Sequence, residues 1–162
     1  MRLKTFLVFF LLVPAAGASP NEIVGWVEHV AIYGDHNEII MKAKIDTGAQ
    51  TTSIHSKNYE LFSKNGKRWV KFRIFNKVGD SLELEKPVVR MAEIKRHFGK
   101  KQVRPVIHLG LCLGSNYKIT EVNLVDRSGF NYQLLVGREY LKPNNIVDPS
   151  VTYTKKPDCR KR

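Results

Sequence analysis

Apolar residues in this chain recur at every second position in short runs, and no stretch carries a sustained helical period. In "RWVKFRIF", Val70, Phe72 and Ile74 stand opposite Trp69, Lys71 and Arg73, and in "IVGWVEHVAI", Val24, Trp26, Val30 and Ile32 fall on one side. Successive side chains of a strand point to opposite faces, so each run reads as a strand with one buried face. Further strands are expected in "EIIMKAKI", "SLELE", "PVVRM", "VRPVIHLGLCL", "YKITEVNLV", "YQLLV" and "VTY". Turns part them at Lys77-Val78-Gly79-Asp80, Gly114-Ser115-Asn116 and Arg127-Ser128-Gly129. Two helical pieces are expected, a short turn near Lys57 to Phe62 and a C-terminal one opened by Gly137 through "REYL". The expected class is all-β, a single-lobed, small closed or folded-over barrel with a token helix. Residues 92–102, "AEIKRHFGKKQ", are polar between two apolar strands and read as a mobile hairpin or loop over one face.

The first residues do not belong to that pattern. A basic lead, Met1-Arg2-Leu3-Lys4, precedes the apolar run "TFLVFFLLVPAAG" and a small-x-small "AGA". Residues 1–18 therefore read as a secretory signal peptide; a membrane anchor would need about 20 apolar residues. Residues 19–162 suffice for one domain. Export places Cys112 and Cys159 in an oxidising compartment, where they form one bridge, pair between chains or stay free; spacing alone does not choose. The formal charge of +12 is spread over Lys64, Lys67, Arg68, Lys71, Arg73, Lys95, Arg96, Lys100, Lys101 and Arg104. It is not interleaved with exposed aromatics, so a solvated basic surface is expected and a nucleic-acid partner is not.

Chemistry concentrates in "KAKIDTGAQTTSIHS". Asp46 follows an alternating strand, and Gly48 permits a close approach that a Cβ would forbid. Thr47 offers a hydroxyl, and Ala49 leaves room beside the carboxylate. A carboxylate on a rigid strand-turn-strand frame is what pre-organised chemistry requires, although Asp-Thr-Gly alone is also a common turn. A second element, "YQLLVGREYL", follows about ninety residues later with Gly137 and Arg138 after apolar strand residues.

Together, "KIDTGAQTTSI" and "LLVGREYL" resemble the retropepsin family of aspartic peptidases in content and order. Gly25-Trp26, "AKIDTGA", "RWVKFRI", "RPVI", "LVDRSG", "LLVGRE" and "IVDPS" extend the resemblance over residues 24 to 153. They are similar to a bacterial retropepsin-like family whose members have also been called ATP-dependent zinc proteases. The resemblance implies a retropepsin-like closed barrel, a catalytic Asp46, an active-site loop of Thr47, Gly48 and Ala49, and structural support from Gly137 and Arg138. It further implies a flap within residues 87–106, in which this chain has only Gly99. Where viral members have an acidic residue that pairs with the arginine, this chain has Gln50, so the partner of Arg138 is left open between another carboxylate and a carbonyl.

The mechanism so implied needs two carboxylates, and the chain offers one good candidate. Asp126 is followed by Arg127, and "DRSG" reads as a hairpin turn with Gly129 at positive φ; Asp148 has no following Gly. A working enzyme is then a homodimer with Asp46 from each subunit on the two-fold axis. No metal or other cofactor is expected, since His29, His36, His55, His97 and His108 are dispersed, and no phosphate-cradling loop for ATP is present. His55 reads as a surface or packing residue. The expectation is an exported, periplasmic peptidase of a Gram-negative bacterium acting on peptides or proteins. The alternative is a non-catalytic periplasmic β-barrel that binds peptides or envelope proteins.

Overall fold

The computed structural model describes residues 21–94 and 101–159. The segment read as a signal peptide lies outside the described residues, as do His97 and Gly99. Twelve strands and one helical turn follow in order: β1 (Glu22–Gly25), β2 (Val27–Tyr33), β3 (Glu38–Ile45), β4 (Thr52–His55), β5 (Tyr59–Lys64), β6 (Lys67–Phe75), β7 (Ser81–Pro87), β8 (Arg90–Ile94), β9 (Gln102–Leu113), β10 (Asn116–Val125), β11 (Leu134–Val136), α1 (Arg138–Leu141) and β12 (Asn145–Asp148). The all-β class and the "REYL" helix are as expected.

Period-two patterning sets which faces are inside. β3 buries Ile39, Met41, Ala43 and Ile45 and exposes the residues between, and β6 buries Val70, Phe72 and Ile74. These side chains meet Leu82 and Leu84 of β7, Leu109, Leu111 and Leu113 of β9, and Leu124 of β10 in one core. Full burial of each such side chain contributes about 1.5–3 kcal/mol.

Seven strands form one sheet in the order β10-β4-β11-β3-β2-β9-β8, and β10 also pairs antiparallel with β9. The pairings thus lead from β10 round to β9 and back. The link runs through β11, only three residues long, so the barrel is not strictly closed. The sheet β5-β6-β7 folds over the core, and β1 lies parallel to β12 as a separate pair. The antiparallel stem of β8 and β9, from Arg90↔Val106 to Ile94↔Gln102, gives the hairpin expected around residues 92–102; residues 95–100 lie outside the description.

Several expectations are corrected. Lys57 to Phe62 is not helical: β5 occupies Tyr59–Lys64. It pairs with β6 alone at a sheet edge, and four of its six side chains are exposed, so no alternation marks it. "PVVRM" is divided between the end of β7 and the start of β8. Trp26 sits between β1 and β2, 40% exposed, outside the Val24, Val30 and Ile32 face. "VTY" is not a strand; Tyr153 has a φ of 53°, although its N–H donates to the Val27 carbonyl. Residues 126–129 turn, but not as a hairpin, because β4 lies between β10 and β11. Gly129 is not at positive φ, which the chain reserves among its described glycines for Gly66, Gly79 and Gly114.

Cys112 and Cys159 are bonded to each other with Cα atoms 5.9 Å apart, tying the tail to β9. The same tail covers Glu28, a fully buried carboxylate. It accepts hydrogen bonds from Gly25 N (2.6 Å), Thr154 N (3.0 Å) and Thr154 Oγ1 (2.6 Å). Three donors offset the cost of burying its polar oxygens.

Candidate active site

The chain is held from both sides until it reaches Asp46. Ile45 N donates to the Trp26 carbonyl, and Asp46 N donates to the Val136 carbonyl of β11 at 2.9 Å. The chain then turns on itself. Ala49 N approaches the Asp46 carbonyl at 3.3 Å, while Oδ1 of Asp46 accepts from Gly48 N (2.9 Å) and Ala49 N (3.3 Å). These donors fix the carboxylate in one orientation. A Cβ on Gly48 would meet that Oδ1 at 3.2 Å, so the small residue is what lets the loop wrap the carboxylate. Oδ2 faces the Lys44 ammonium at 3.8 Å, and the Asp46 side chain retains 24% exposure. Thr47 and Gly48 are exposed at the tip of the loop.

The "VGREYL" segment braces this loop from behind. Arg138 N donates to the Ala49 carbonyl (2.9 Å) and Glu139 N to the Gln50 carbonyl (3.0 Å). Arg138 Nη1 donates to the Thr47 and Gly48 carbonyls, both at 2.8 Å. The partners of Arg138 are therefore carbonyls. Gln50 donates to Glu139 Oε1 at 2.8 Å, so the position that departs from the viral pattern is bonded to the helix instead. Gly137 N donates to Thr52 Oγ1 at 3.1 Å, and a Cβ there would fall 2.7 Å from the Gln50 carbonyl oxygen.

Buried Tyr140 fixes the helix in turn. Its hydroxyl donates to the Asn116 carbonyl at 2.6 Å and accepts from Leu113 N at 2.9 Å. Burial holds this phenol well above the usual tyrosine range. Lys118 Nζ donates to the Glu139 carbonyl (2.5 Å) and the Lys142 carbonyl (2.8 Å), covering the helix end.

The other two aspartates with a case for the second carboxylate are held in turns. Asp126 Oδ1 accepts from Ser128 N at 2.9 Å, and Asp148 Oδ1 accepts from Ser150 N (2.8 Å) and Ser150 Oγ (2.6 Å). Those bonds push both carboxyls below their ordinary value. Each is thus stabilised as an anion, whereas one member of a proton-sharing pair must stay neutral. His55 accepts at Nδ1 from Arg127 N (2.8 Å), a packing role beside the 126–129 turn. No group of three or more His, Cys, Asp or Glu among the described residues is placed to hold a metal ion.

A cleft of about 440 Å3 opens between this loop and the stem of the β8–β9 hairpin. Ala49, Gln50 and Thr51 line one wall, Arg90 and Arg104 the other, and Arg127 and Asn123 also line it. Burial lowers the Arg127 guanidinium from its ordinary value, and the Asp46 carboxylate partly opposes that shift. Sequence reading missed Arg127 and Asn123 as site residues. They reach the cleft only because β10 lies parallel to β4, a pairing with no local mark in the sequence.

Comparison with known proteins fits this geometry. The chain spans about a quarter of the length of the curated relatives it matches. It is 35% identical over 116 residues to a protein of Shewanella pealeana named probable alpha-L-glutamate ligase, covering 70% of this chain and 25% of that one. A protein of the same name from Desulfotalea psychrophila is 32% identical over 114 residues, covering 68% and 25%. The crystal structure of Lpg0085, a Legionella pneumophila protein of unknown function, superposes with a TM-score of 0.70 at 34% identity, covering 84% of this chain and 99% of that one. The family model described as retropepsin-like aspartic endopeptidase RimB matches residues 23–158, and the chain therefore belongs to that RimB-like family.

Proposed function

We propose that the protein is an exported, periplasmic aspartic endopeptidase that acts as a homodimer, with the Asp46 carboxylates of two subunits facing each other across a water. The observation that carries this reading is the Asp46 loop, in which a partly exposed carboxylate is aimed by backbone donors and the loop is braced by Arg138. The homodimer follows from the count of carboxylates, since Asp126 and Asp148 are committed to turns. The export step rests on the sequence of residues 1–18.

The chemistry needs one ionised and one neutral carboxyl. The ionised Asp46 takes a proton from the water as its oxygen attacks the peptide carbonyl carbon, and the neutral Asp46 donates its proton to the carbonyl oxygen. Collapse of the tetrahedral adduct breaks the C–N bond, and the proton taken from water passes to the leaving nitrogen. The pair titrates as a unit, so activity falls once the solution is alkaline enough to ionise both carboxyls. The substrate lies extended in the cleft, under the β8–β9 hairpin, hydrogen-bonded along its backbone as a strand would be.

The relatives named probable alpha-L-glutamate ligases contain a stretch similar to this chain within a longer protein. Their names support a peptide substrate that carries glutamate residues.

Mixing wild type with a growing excess of Asp46→Asn tests the shared site. Activity is expected to fall as subunits exchange, since each mixed dimer has lost one carboxylate. Activity that stays proportional to the wild-type subunits added would contradict a shared site. The same Oδ1 bonds would also suit a loop without chemistry, and a wild type inert at concentrations where it is dimeric would support the peptide-binding alternative.

A further inference from the structure

Glu28 is the one fully buried carboxylate among the described residues, and the chemistry proposed for Asp46 does not use it. Its Oε1 accepts from Gly25 N (2.6 Å), Thr154 N (3.0 Å) and Thr154 Oγ1 (2.6 Å). One oxygen thus joins the break between β1 and β2 to the C-terminal tail. Neighbouring bonds lay the tail along the same break: Trp26 N donates to the Val151 carbonyl (3.1 Å), and Tyr153 N donates to the Val27 carbonyl (2.8 Å). Gly25 lies directly beneath it, since a Cβ there would fall 2.8 Å from Thr152 Cα and closer still to the Val151 carbonyl oxygen. Beyond Thr154, the Cys112–Cys159 bond pins the tail to β9.

The backbone held in this way leads to Asp46. Trp26 gives its N–H to the tail, and its carbonyl accepts from Ile45 N at 2.8 Å. Ile45 is the last residue of β3 and stands immediately before Asp46. The β2–β3 ladder ends one pair earlier, at Val27↔Lys44, so the Trp26 carbonyl carries the support on to the loop. From the other side Val136 of β11 pairs with Ile45 and accepts from Asp46 N at 2.9 Å. The entry to the loop is therefore clamped between β11 and the Gly25-Trp26 break, and the break takes its place from Glu28 and the tail.

We propose that Glu28 is a positioning residue for catalysis. With Thr154 it latches the tail onto the Gly25-Trp26 break, and through the Trp26 carbonyl it fixes the backbone from which Asp46 projects. The effect on cleavage rests on the peptidase reading, whereas the ordering of the loop does not. A slightly displaced Asp46 leaves the substrate groove intact but transfers protons less well, because general acid–base catalysis needs hydrogen-bond distance and alignment.

Thr154 is exposed, so replacing it leaves the core packing alone. Thr154→Val removes the hydroxyl donor at nearly unchanged shape, and Thr154→Ser keeps that donor. Amide hydrogen exchange by NMR and steady-state kinetics are measured on both beside wild type, all with the Cys112–Cys159 bond formed. In Thr154→Val the Ile45 amide is expected to exchange about threefold faster or more. The amide of Leu111, held in the β9 ladders with β2 and β10, should be unchanged. kcat should fall by about threefold or more with KM unmoved, and Thr154→Ser should match wild type in every reading. Glu28→Leu removes all three bonds and is expected to act in the same direction more strongly; should it fail to fold, the Thr154 pair decides. Ile45 exchange at the wild-type rate in Thr154→Val, or a rise that reaches Leu111 equally, would overturn the proposal. So would an unchanged kcat in that variant when wild type is active. Faster Ile45 exchange in Thr154→Val but not Thr154→Ser, alongside a wild type without peptidase activity, would leave the latch standing and reject the peptidase reading.

Discussion

Gly137 has no room for a methyl group. The added carbon would sit 2.7 Å from the Gln50 carbonyl oxygen and from the Thr51 carbonyl carbon, and both are backbone atoms that cannot swing away. Gly137→Ala is expected to cost about 2–3 kcal/mol, read as a lowered urea midpoint with unchanged slope. Arg138 holds the loop through two carbonyls, so Arg138→Met is expected to cost roughly 1–2 kcal/mol. Its catalytic effect should fall on kcat more than KM, because it misplaces Asp46 without touching substrate; steady-state kinetics beside a melting curve checks both. These residues were legible in the sequence because each group is contiguous: Asp46 to Ala49 form one turn, and Gly137 with Arg138 open one helix. The partner of Arg138 was not legible, since a carbonyl of a residue ninety positions away carries no side-chain mark. Arg127 and Asn123 were missed for a related reason: they share a cleft only after β10 has crossed to lie along β4.

Elements that bury one face declared themselves, and those that do not stayed hidden. β3 and β6 alternate because one face of each meets the core, and β11, only three residues long, is still marked by the apolar run "YQLLV". β5 contains no buried position to set a period. The β8–β9 hairpin is anchored to β10 by Arg90, whose Nε and Nη2 donate to Glu121 at 3.1 and 2.6 Å. The Arg90 hydrogen bond holds the Glu121 carboxyl below its ordinary value. A carboxyl lowered by folding stabilises the native state above its unfolded pKa, and that contribution is lost as pH falls through the lower folded value. The Arg90 side chain is 46% exposed and solvent screens the pair, so Glu121→Gln is expected to cost under about 1 kcal/mol near neutral pH. The melting temperatures of wild type and variant should converge in acid as wild-type Glu121 is protonated; a gap that widened there would contradict the assignment.

Across the whole molecule, the C-terminal tail works as a strap. Cys159 bonds Cys112 of β9 across 47 positions of sequence, and Thr154 supplies two of the donors to buried Glu28. Replacing both cysteines by serine is expected to cost about 2–4 kcal/mol, seen as a lower denaturant midpoint under non-reducing conditions, with the β-rich far-ultraviolet signature retained. The strand order of the sheet was beyond sequence reading, since two of its links, β10–β4 and β11–β3, are parallel crossovers that no hairpin turn announces. The fold places one good candidate carboxylate, Asp46, in each chain, and the function proposed for it depends on two. The most direct test is cleavage-site mass spectrometry on a diverse peptide mixture from acid to neutral pH, with wild type, wild type plus chelator, and Asp46→Asn side by side. Cuts that survive the chelator and vanish in the variant are expected; cuts that persist in Asp46→Asn would show that the chemistry lies elsewhere.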